Sequence, residues 1–388
     1  MTRTDRALTN ARRLRAGDDL APASAPAPER AFAIGDPQTT SARFLAALDA
    51  RGLLGDDGWL RPDVRLVSMG DHFDYAVAER EEARVEGVLV LSWLAAHPRA
   101  QVTVLAGNHD LARVMELAAV DDARFAEAAD MGRAIEALPR DGRSAAMDAF
   151  RARFPEVATP GYAARDYNAF TEEQRALVRR LLLARRLELA AAERTRGVDA
   201  LLTHAGVTGR EVALLGVACE ARALADALGA RFEAAIDAVA DDWRAGRATP
   251  LSLAPLHLAG ADGAEGGGML YHRPADPARE GADAPWERAP NAPRRFDPRS
   301  LPRGLVQVVG HTGHRKAWKE MPRWREPGMT DAPGGLRTLS VTGESVRYAR
   351  GVHREGEATV WMIDPEMHHV ATPADVAVLA LSGEGGAS

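Results

Sequence analysis

An α/β fold of layered strands and helices is predicted from three observations. Five short apolar runs of strand length recur along the chain, each ending in Gly or a small residue plus a polar group. Helix-period stretches lie between the first four, and such alternation argues for α/β layering. The runs are apolar throughout rather than alternating, which argues for strands buried on both faces. At 388 residues, 46% hydrophobic and 27% charged, the chain is long and apolar enough for a sizeable core.

Taken in order, residues 1 to 29 pass from an Arg-rich stretch to the Ala/Pro segment "LAPASAPAPER" and read as a mobile arm. They lack the apolar middle of a secretory signal. The first strand, "RAFAIGD", ends at Asp36, and a helix follows over 41 to 52. "DVRLVSMGD" ends at Asp71, a helix spans 76 to 97, and "AQVTVLAGNHD" ends at Asp110. Residues 111 to 195 form a helical insertion, clearest in "TEEQRALVRRLLLARRLELAAAERT", capped at Thr171. "GVDALLTHAG" carries His204, and an Ala-rich second helical insertion covers 209 to 245. Residues 274 to 303, dense in Pro and Arg, read as a long surface loop. "GLVQVVGHTGH" carries His311, and three β-like pieces follow: "LRTLSVTG" and "ESVRYARGV", meeting at a turn, then "EATVWMID". One domain over 30 to 370 is expected, with residues 371 to 388 as a C-terminal tail.

The bulk numbers exclude some classes. A net charge of −6 gives no general pull toward nucleic acid or anionic lipid. The basic-aromatic stretch "HRKAWKEMPRWR" (314 to 325) reads instead as a solvated loop beside a site for anionic substrate. No apolar run approaches a membrane span. The single cysteine, Cys219, forbids an internal disulfide and fits a reducing compartment, so a cytoplasmic location is expected. Nearly every basic residue is Arg, with Lys only at 316 and 319.

In open α/β sheets, side chains at the carboxyl ends of strands gather around one crevice. That rule brings together Asp36, Asp71, Asn108, His109, His204 and His311, with Gln38 and Asp74 nearby. Carboxylates, an amide oxygen and imidazoles at this density suit divalent metal ions. If one carboxylate bridges, the set could hold two ions, which can activate a water for in-line phosphoryl displacement.

The motif order resembles the calcineurin-like metallophosphoesterase superfamily over residues 31 to 314: Gly-Asp-x-x (35 to 38), Gly-Asp-x-x-Asp (70 to 74), Gly-Asn-His-Asp (107 to 110), His-Ala-Gly (204 to 206) and Gly-His-Thr (310 to 312). "THAGV", "LYHRP" (270 to 274) and "VVGHT" (308 to 312) are most similar to the phosphoprotein-phosphatase branch and its bacterial relatives. The resemblance implies a four-layer α-β-β-α sandwich carrying the helical insertions. It implies that Asp71 bridges two metal ions, that Asp36 completes the first site, and that Asn108, His204 and His311 hold the second. His109 would protonate the leaving alkoxide, oriented by Asp74. A carboxylate beside an imidazole independently favours the protonated form that a general acid needs. Arg273 would clamp the substrate phosphate with a forked pair of donors.

The sequence departs from that pattern twice. The first motif is Asp36-Pro37-Gln38 where the family has Asp-x-His. Gln38 is either a harder, weaker ligand or a polar loop residue. As a ligand it tilts the first site toward Mn²⁺ or Mg²⁺ over Zn²⁺ or iron, and His72 and His314 are the candidate substitutes. Tyr75 stands where the phosphatase branch places Arg, with Arg113 or Arg315 as possible compensation. The expected function is a phosphomonoesterase of serine/threonine protein phosphatase type, using metal-activated hydroxide. Its alternatives are a nucleotide or dinucleoside-polyphosphate hydrolase, and a catalytically weak binding or regulatory protein with a degenerate first metal site.

Overall fold

The computed structural model describes residues 1–22, 28–261, 263–278, 292–351 and 356–381. The chain is mixed α/β. Its first sheet runs in the order β14-β1-β2-β3, built from β1 (Arg30–Ile34), β2 (Val64–Ser68), β3 (Val102–Val104) and β14 (Leu379–Ala380). β1, β2 and β3 are parallel, and β14 runs antiparallel on the edge, with Phe32 opposite Ala380. The second sheet runs β12-β11-β13-β10-β5-β4. Its strands are β4 (Ala190–Thr195), β5 (Val198–Thr203), β10 (Val306–Val309), β11 (Arg337–Thr342), β12 (Ser345–Arg350) and β13 (Ala358–Met362). β5, β10 and β13 are parallel, flanked by antiparallel neighbours. Two short ribbons, β6 (His257–Leu258) with β7 (Gly267–Gly268) and β8 (Arg273–Pro274) with β9 (Arg295–Phe296), complete the strands.

One apolar cluster joins the two sheets: Ala33 and Val67 from the first, Leu202, Val308 and Trp361 from the second. The other face of the first sheet is covered by α2 (Ser41–Ala50) and α3 (Arg80–Ala96), through Phe44, Leu91 and Trp93, and α1 (Arg3–Arg15) packs on these two helices. This is why the strands read as apolar on both faces.

Helices α4 (Asn108–Ala112), α5 (Asp122–Ala137), α6 (Arg143–Arg153) and α7 (Glu172–Leu183) fall in the first insertion, with a π-helical turn at Tyr162–Asp166. Thr171 caps α7 as expected, its hydroxyl accepting from Gln174 N–H. Around α5 and α6 a separate core forms from Phe125, Phe150, Phe154, Tyr162, Tyr167 and Phe170. The second insertion holds α8 (Gly209–Leu215) and α9 (Ala221–Arg244), whose Leu224, Leu228 and Phe232 pack in the main core.

Three expectations are corrected. The mobile arm contains α1, which starts on a reciprocal capping box of Thr2 and Asp5. It docks through Ala7 and Ala11, an i, i+4 pair with no exposed surface. Small apolar residues let this helix lie close on its neighbours, and such a thin stripe carries little sequence signal.

The helix expected to continue to 195 stops at Leu183, with Arg185 left-handed at φ 55°. Residues 190 to 195 are instead β4, paired with β5 through the turn at Arg196-Gly197. An adjacent strand edge outweighs the intrinsic helix preference of Ala and Glu. The tail's start is likewise part of the domain, because β14 supplies hydrogen bonds to the edge of β1. The centre of the expected 274 to 303 loop, residues 279 to 291, lies outside the described residues, as do 382 to 388. Among the described residues no helix is long and apolar enough to cross a membrane.

Candidate metal centre

The parallel strands of both sheets point their carboxyl ends at one crevice. Asp36 follows β1, Asp71 follows β2, Asn108 and His109 follow β3, His204 follows β5 and His311 follows β10. The loops between them are tightly constrained. A Cβ on Gly107 would sit 2.1 Å from Asp71 Oδ1, and one on Gly310 would sit 2.0 Å from Asp36 Oδ1. Asp71, Asp74 and His311 all occupy left-handed backbone conformations, with φ of 57°, 62° and 60°. Such strain persists only where surrounding contacts over-determine it.

His204 sits at the centre. Its Nδ1 donates to the Met69 carbonyl at 2.9 Å, which directs Nε2 into the crevice. There Nε2 lies 3.1 Å from Asn108 Oδ1, 3.1 Å from His311 Nδ1 and 3.3 Å from Asp71 Oδ2. Four electron-pair donors thus face one another. Ligand atoms of Asp71, His204 and His311 lie within 4.8 Å of one another, and this buried group could bind a metal ion. His311 Nε2 is buried without a hydrogen-bond partner among the described residues. With Nδ1 offering its lone pair, the neutral ring carries its proton on Nε2, a buried donor that is costly unless an acceptor meets it.

The charges tell the same story. Burial pushes the Asp36 carboxyl well above the usual range, reinforced by Asp364. Burial alone would raise Asp71 too, but the His204 and His109 rings pull it well below normal. Burial disfavours a charged His204, yet Asp71 and Asp36 outweigh it and raise its pKa to about 10. His311 is held neutral by burial and by nearby Arg273 and His204. A proton on His204 therefore does in the free protein what a cation would do better.

This fixes a sign for stability against pH. The folded pKa of His204, about 10, lies above its ordinary 6.5, so its contribution is complete below 6.5 and vanishes as pH rises through 10. In chelator-treated protein, the urea midpoint is expected to fall between about pH 7 and about pH 10, and His204→Gln should flatten that fall. A wild-type midpoint unchanged over this interval would contradict the geometry.

His109 lies beside the metal-ligand set. Its backbone N–H donates to Asp71 Oδ1 at 2.8 Å, and its Nδ1 meets Asp74 Oδ2 at 3.0 Å. Asp74 is held by three groups: the His109 ring, Arg113 and the Ala169 backbone. Arg113 Nη1 lies 2.6 Å from Asp74 Oδ2, and the Ala169 N–H donates to Oδ1 at 2.9 Å. Burial opposes the charged form of Asp74, but Arg113 and His109 keep its pKa low. Tyr167 packs edge-on against the His109 ring at 5.3 Å. The first helical insertion therefore reaches into the site and braces the His109–Asp74 pair.

Several residues stand differently from expectation. Arg113 is fully buried, bonded to Asp74, to the His109 carbonyl at 2.7 Å and to Gln174 at 3.0 Å, so it cannot serve as a phosphate clamp. His72 is no substitute ligand either, since Ser68 Oγ takes one ring nitrogen at 3.0 Å and Asp110 the other at 3.0 Å. His314 is buried near Arg337 and Arg350 and is not among the residues lining the crevice. Gln38 does line it, and its amide nitrogen donates to the Phe73 carbonyl at 3.0 Å, bracing the Asp71–Asp74 loop. Tyr75 also lines it, its ring 5.0 Å from His368. Arg273 and Arg315 reach the same cavity, Arg315 beside Glu366 at 3.4 Å.

Two residues to which the sequence motifs assign no role also shape the site. Asp110 accepts from the N–H groups of Gly107, Asp71 and His72 at 2.8, 2.9 and 3.0 Å, locking two motif loops together. Asp364 follows β13 and lines the cavity beside Asp36. "EATVWMID" had the same signal as the five chosen runs, an apolar strand ending in a carboxylate, but without a glycine.

The cavity, of ≈ 340 Å³, is lined by carboxylates and imidazoles together with the cations Arg273, Arg315, Lys316 and Lys319. No protein-family model matches the chain, and the curated proteins yield no significant match.

Proposed function

We propose that the protein is a metal-dependent phosphoester hydrolase acting on a phosphomonoester, with phosphoserine or phosphothreonine in a protein as the leading substrate. The observation that carries this is the convergence of Asp71, Asn108, His204 and His311 around His204 Nε2, at a cavity that Arg273, Lys316 and Lys319 also line. This reading takes two ions, Mn²⁺ favoured, with Mg²⁺, Fe or Zn²⁺ as competitors, and includes the four-layer α-β-β-α description of the fold. His311, neutral and with its Nδ1 turned toward His204 and Asp71, suits such a group.

Bound divalent ions would supply Lewis acidity and a water made reactive at neutral pH. Asp71, Asn108, His204 and His311 would hold one ion, and Asp36 and Asp71 would hold the other, with Asp364 adding charge beside them. The chain's own groups do the rest. Arg273 orients the phosphoryl oxygens through two of its donors. As water's oxygen bonds to phosphorus, the opposite P–O ester bond breaks. His109 gives its Nε2 proton to the leaving alkoxide, while Asp74 keeps the ring aligned through Nδ1. Protein loaded with Mn²⁺ should hydrolyse a chromogenic aryl phosphate; no turnover with any divalent metal would refute the hydrolase reading.

The bond from Gln38 to Phe73 supports a second reading, in which Gln38 braces a loop and leaves the first site weak. Gln38→His is expected to raise retained Zn²⁺ or iron after dialysis by about tenfold or more, as an imidazole replaces an amide. Metal content by mass spectrometry checks this. An inactive wild type with an active Gln38→His would establish the degenerate binder instead.

A further inference from the structure

Both lysines of the chain line this one cavity, although 47 of its 49 basic side chains are arginine. They lie on one short helix, His314–Glu320, three residues apart, and so share a face. No carboxylate among the described residues lies within ion-pair distance of Lys316, Lys319 or Arg273. Arg273 Nε is moreover buried without a hydrogen-bond partner there. The nearby Arg273 charge, then burial, lowers the Lys316 ammonium to about 8. Asp364, Asp166 and Asp71 offset this repulsion only in part, and an anion between the two cations would relieve the rest.

One phosphate does not use all of these groups. Arg273 and the metal-ligand set together engage the oxygens of a single phosphoryl group. The cavity, at ≈ 340 Å³, is in the range that encloses a whole small ligand, roughly 300 Å³ upward. Ammonium groups bind phosphate as compact point charges with freely turning donors, unlike the fixed fork of Arg.

We infer that Lys316 and Lys319 form a second anion subsite, which takes a phosphoryl group adjacent to the one held by Arg273. The substrate class is then one with two neighbouring phosphoryl groups, in a polyphosphate chain or as two monoesters on one scaffold, a doubly phosphorylated peptide included. The inference rests on the hydrolase reading for its substrate, while its test reads binding alone.

Calorimetry on the full-length, Mn²⁺-loaded protein compares methylphosphonate, methylenediphosphonate and propane-1,3-diphosphonate. Methylenediphosphonate is expected to bind at least about tenfold more tightly than methylphosphonate, about 1.4 kcal/mol. In the double variant Lys316→Gln, Lys319→Gln that ratio should collapse toward one, and Lys316→Arg with Lys319→Arg should restore most of it. A stronger preference for the propane-linked ligand, lost in the same variant, also supports the subsite and assigns two separate monoesters. A ratio near one in the wild type overturns the inference. So does a preference that survives the double Gln variant, since the metal ions alone would then account for it. Absence of aryl phosphate hydrolysis would refute the hydrolase reading and leave the binding result standing.

Discussion

Asp71→Asn is expected to lower the proposed phosphoester hydrolysis by about a thousandfold or more, some 4 kcal/mol of transition-state stabilisation, in a protein that still folds. Asp71 is the residue the metal-ligand set shares: its Oδ2 faces His204 and its Oδ1 accepts from the His109 backbone. Asn removes the negative charge that two cations would need. It tolerates the left-handed backbone found at this position, φ 57°, better than most side chains. The change also relieves repulsion with Asp36, whose pKa Asp71 helps to raise. Bound metal should therefore fall together with activity, and near pH 7 the urea midpoint should drop below that of the wild-type apoprotein, because His204 loses its main counter-charge. A variant that keeps both its metal and its turnover would remove Asp71 from the role assigned here.

Arg113→Met should act on the other axis, costing about 3–5 kcal/mol of folding stability. Arg113 and Asp74 are paired at 2.6 Å with essentially no side-chain exposure. Met keeps much of the side-chain bulk against Phe73, whose ring lies 4.7 Å below the guanidinium. It leaves Asp74 as a buried carboxylate without its strongest partner, so the Asp74 pKa must rise. Urea denaturation measures the loss. Folded variant should also show a shifted acid limb in its pH–rate profile, because His109 is then oriented by a carboxylate that protonates more readily. A loss below about 1 kcal/mol would mean that water replaces the guanidinium, contrary to the closed packing.

The two variants separate what the site binds from what holds it in shape. Arg113 also bonds the His109 carbonyl and Gln174, the first-turn residue of α7. Ala169 and Tyr167 approach the same pair from the insertion. The insertion is thus structurally continuous with the site, and loops that look dispensable in sequence carry the contacts that orient His109.

Much of this could be read without coordinates. Asp36, Asp71, Asn108, His204 and His311 each follow an apolar run, and parallel strands necessarily bring such ends together. The hairpin of β11 and β12 was equally local, turning at "TGES" with Thr342 opposite Ser345. The cap at Thr171 needed only three residues. Periodicity, capping and strand-end chemistry are short-range properties, and the amino-acid order alone determines them.

Other features depended on partners distant in sequence. β4 and β14 are strands because β5 and β1 offer them an edge, and neither carries a strand pattern that outweighs its own composition. Arg113 looks like a free cation in the sequence and becomes a buried brace only when Asp74 and Gln174 close around it. Lys316 and Lys319 looked like a solvated loop until the helix they occupy formed one wall of the cavity. The sequence by itself determined the chemical inventory and its grouping at the strand ends. Only the tertiary structure decided which charges are paired and which face the cavity uncompensated, because burial and counter-charge arise from elements dozens to hundreds of residues apart.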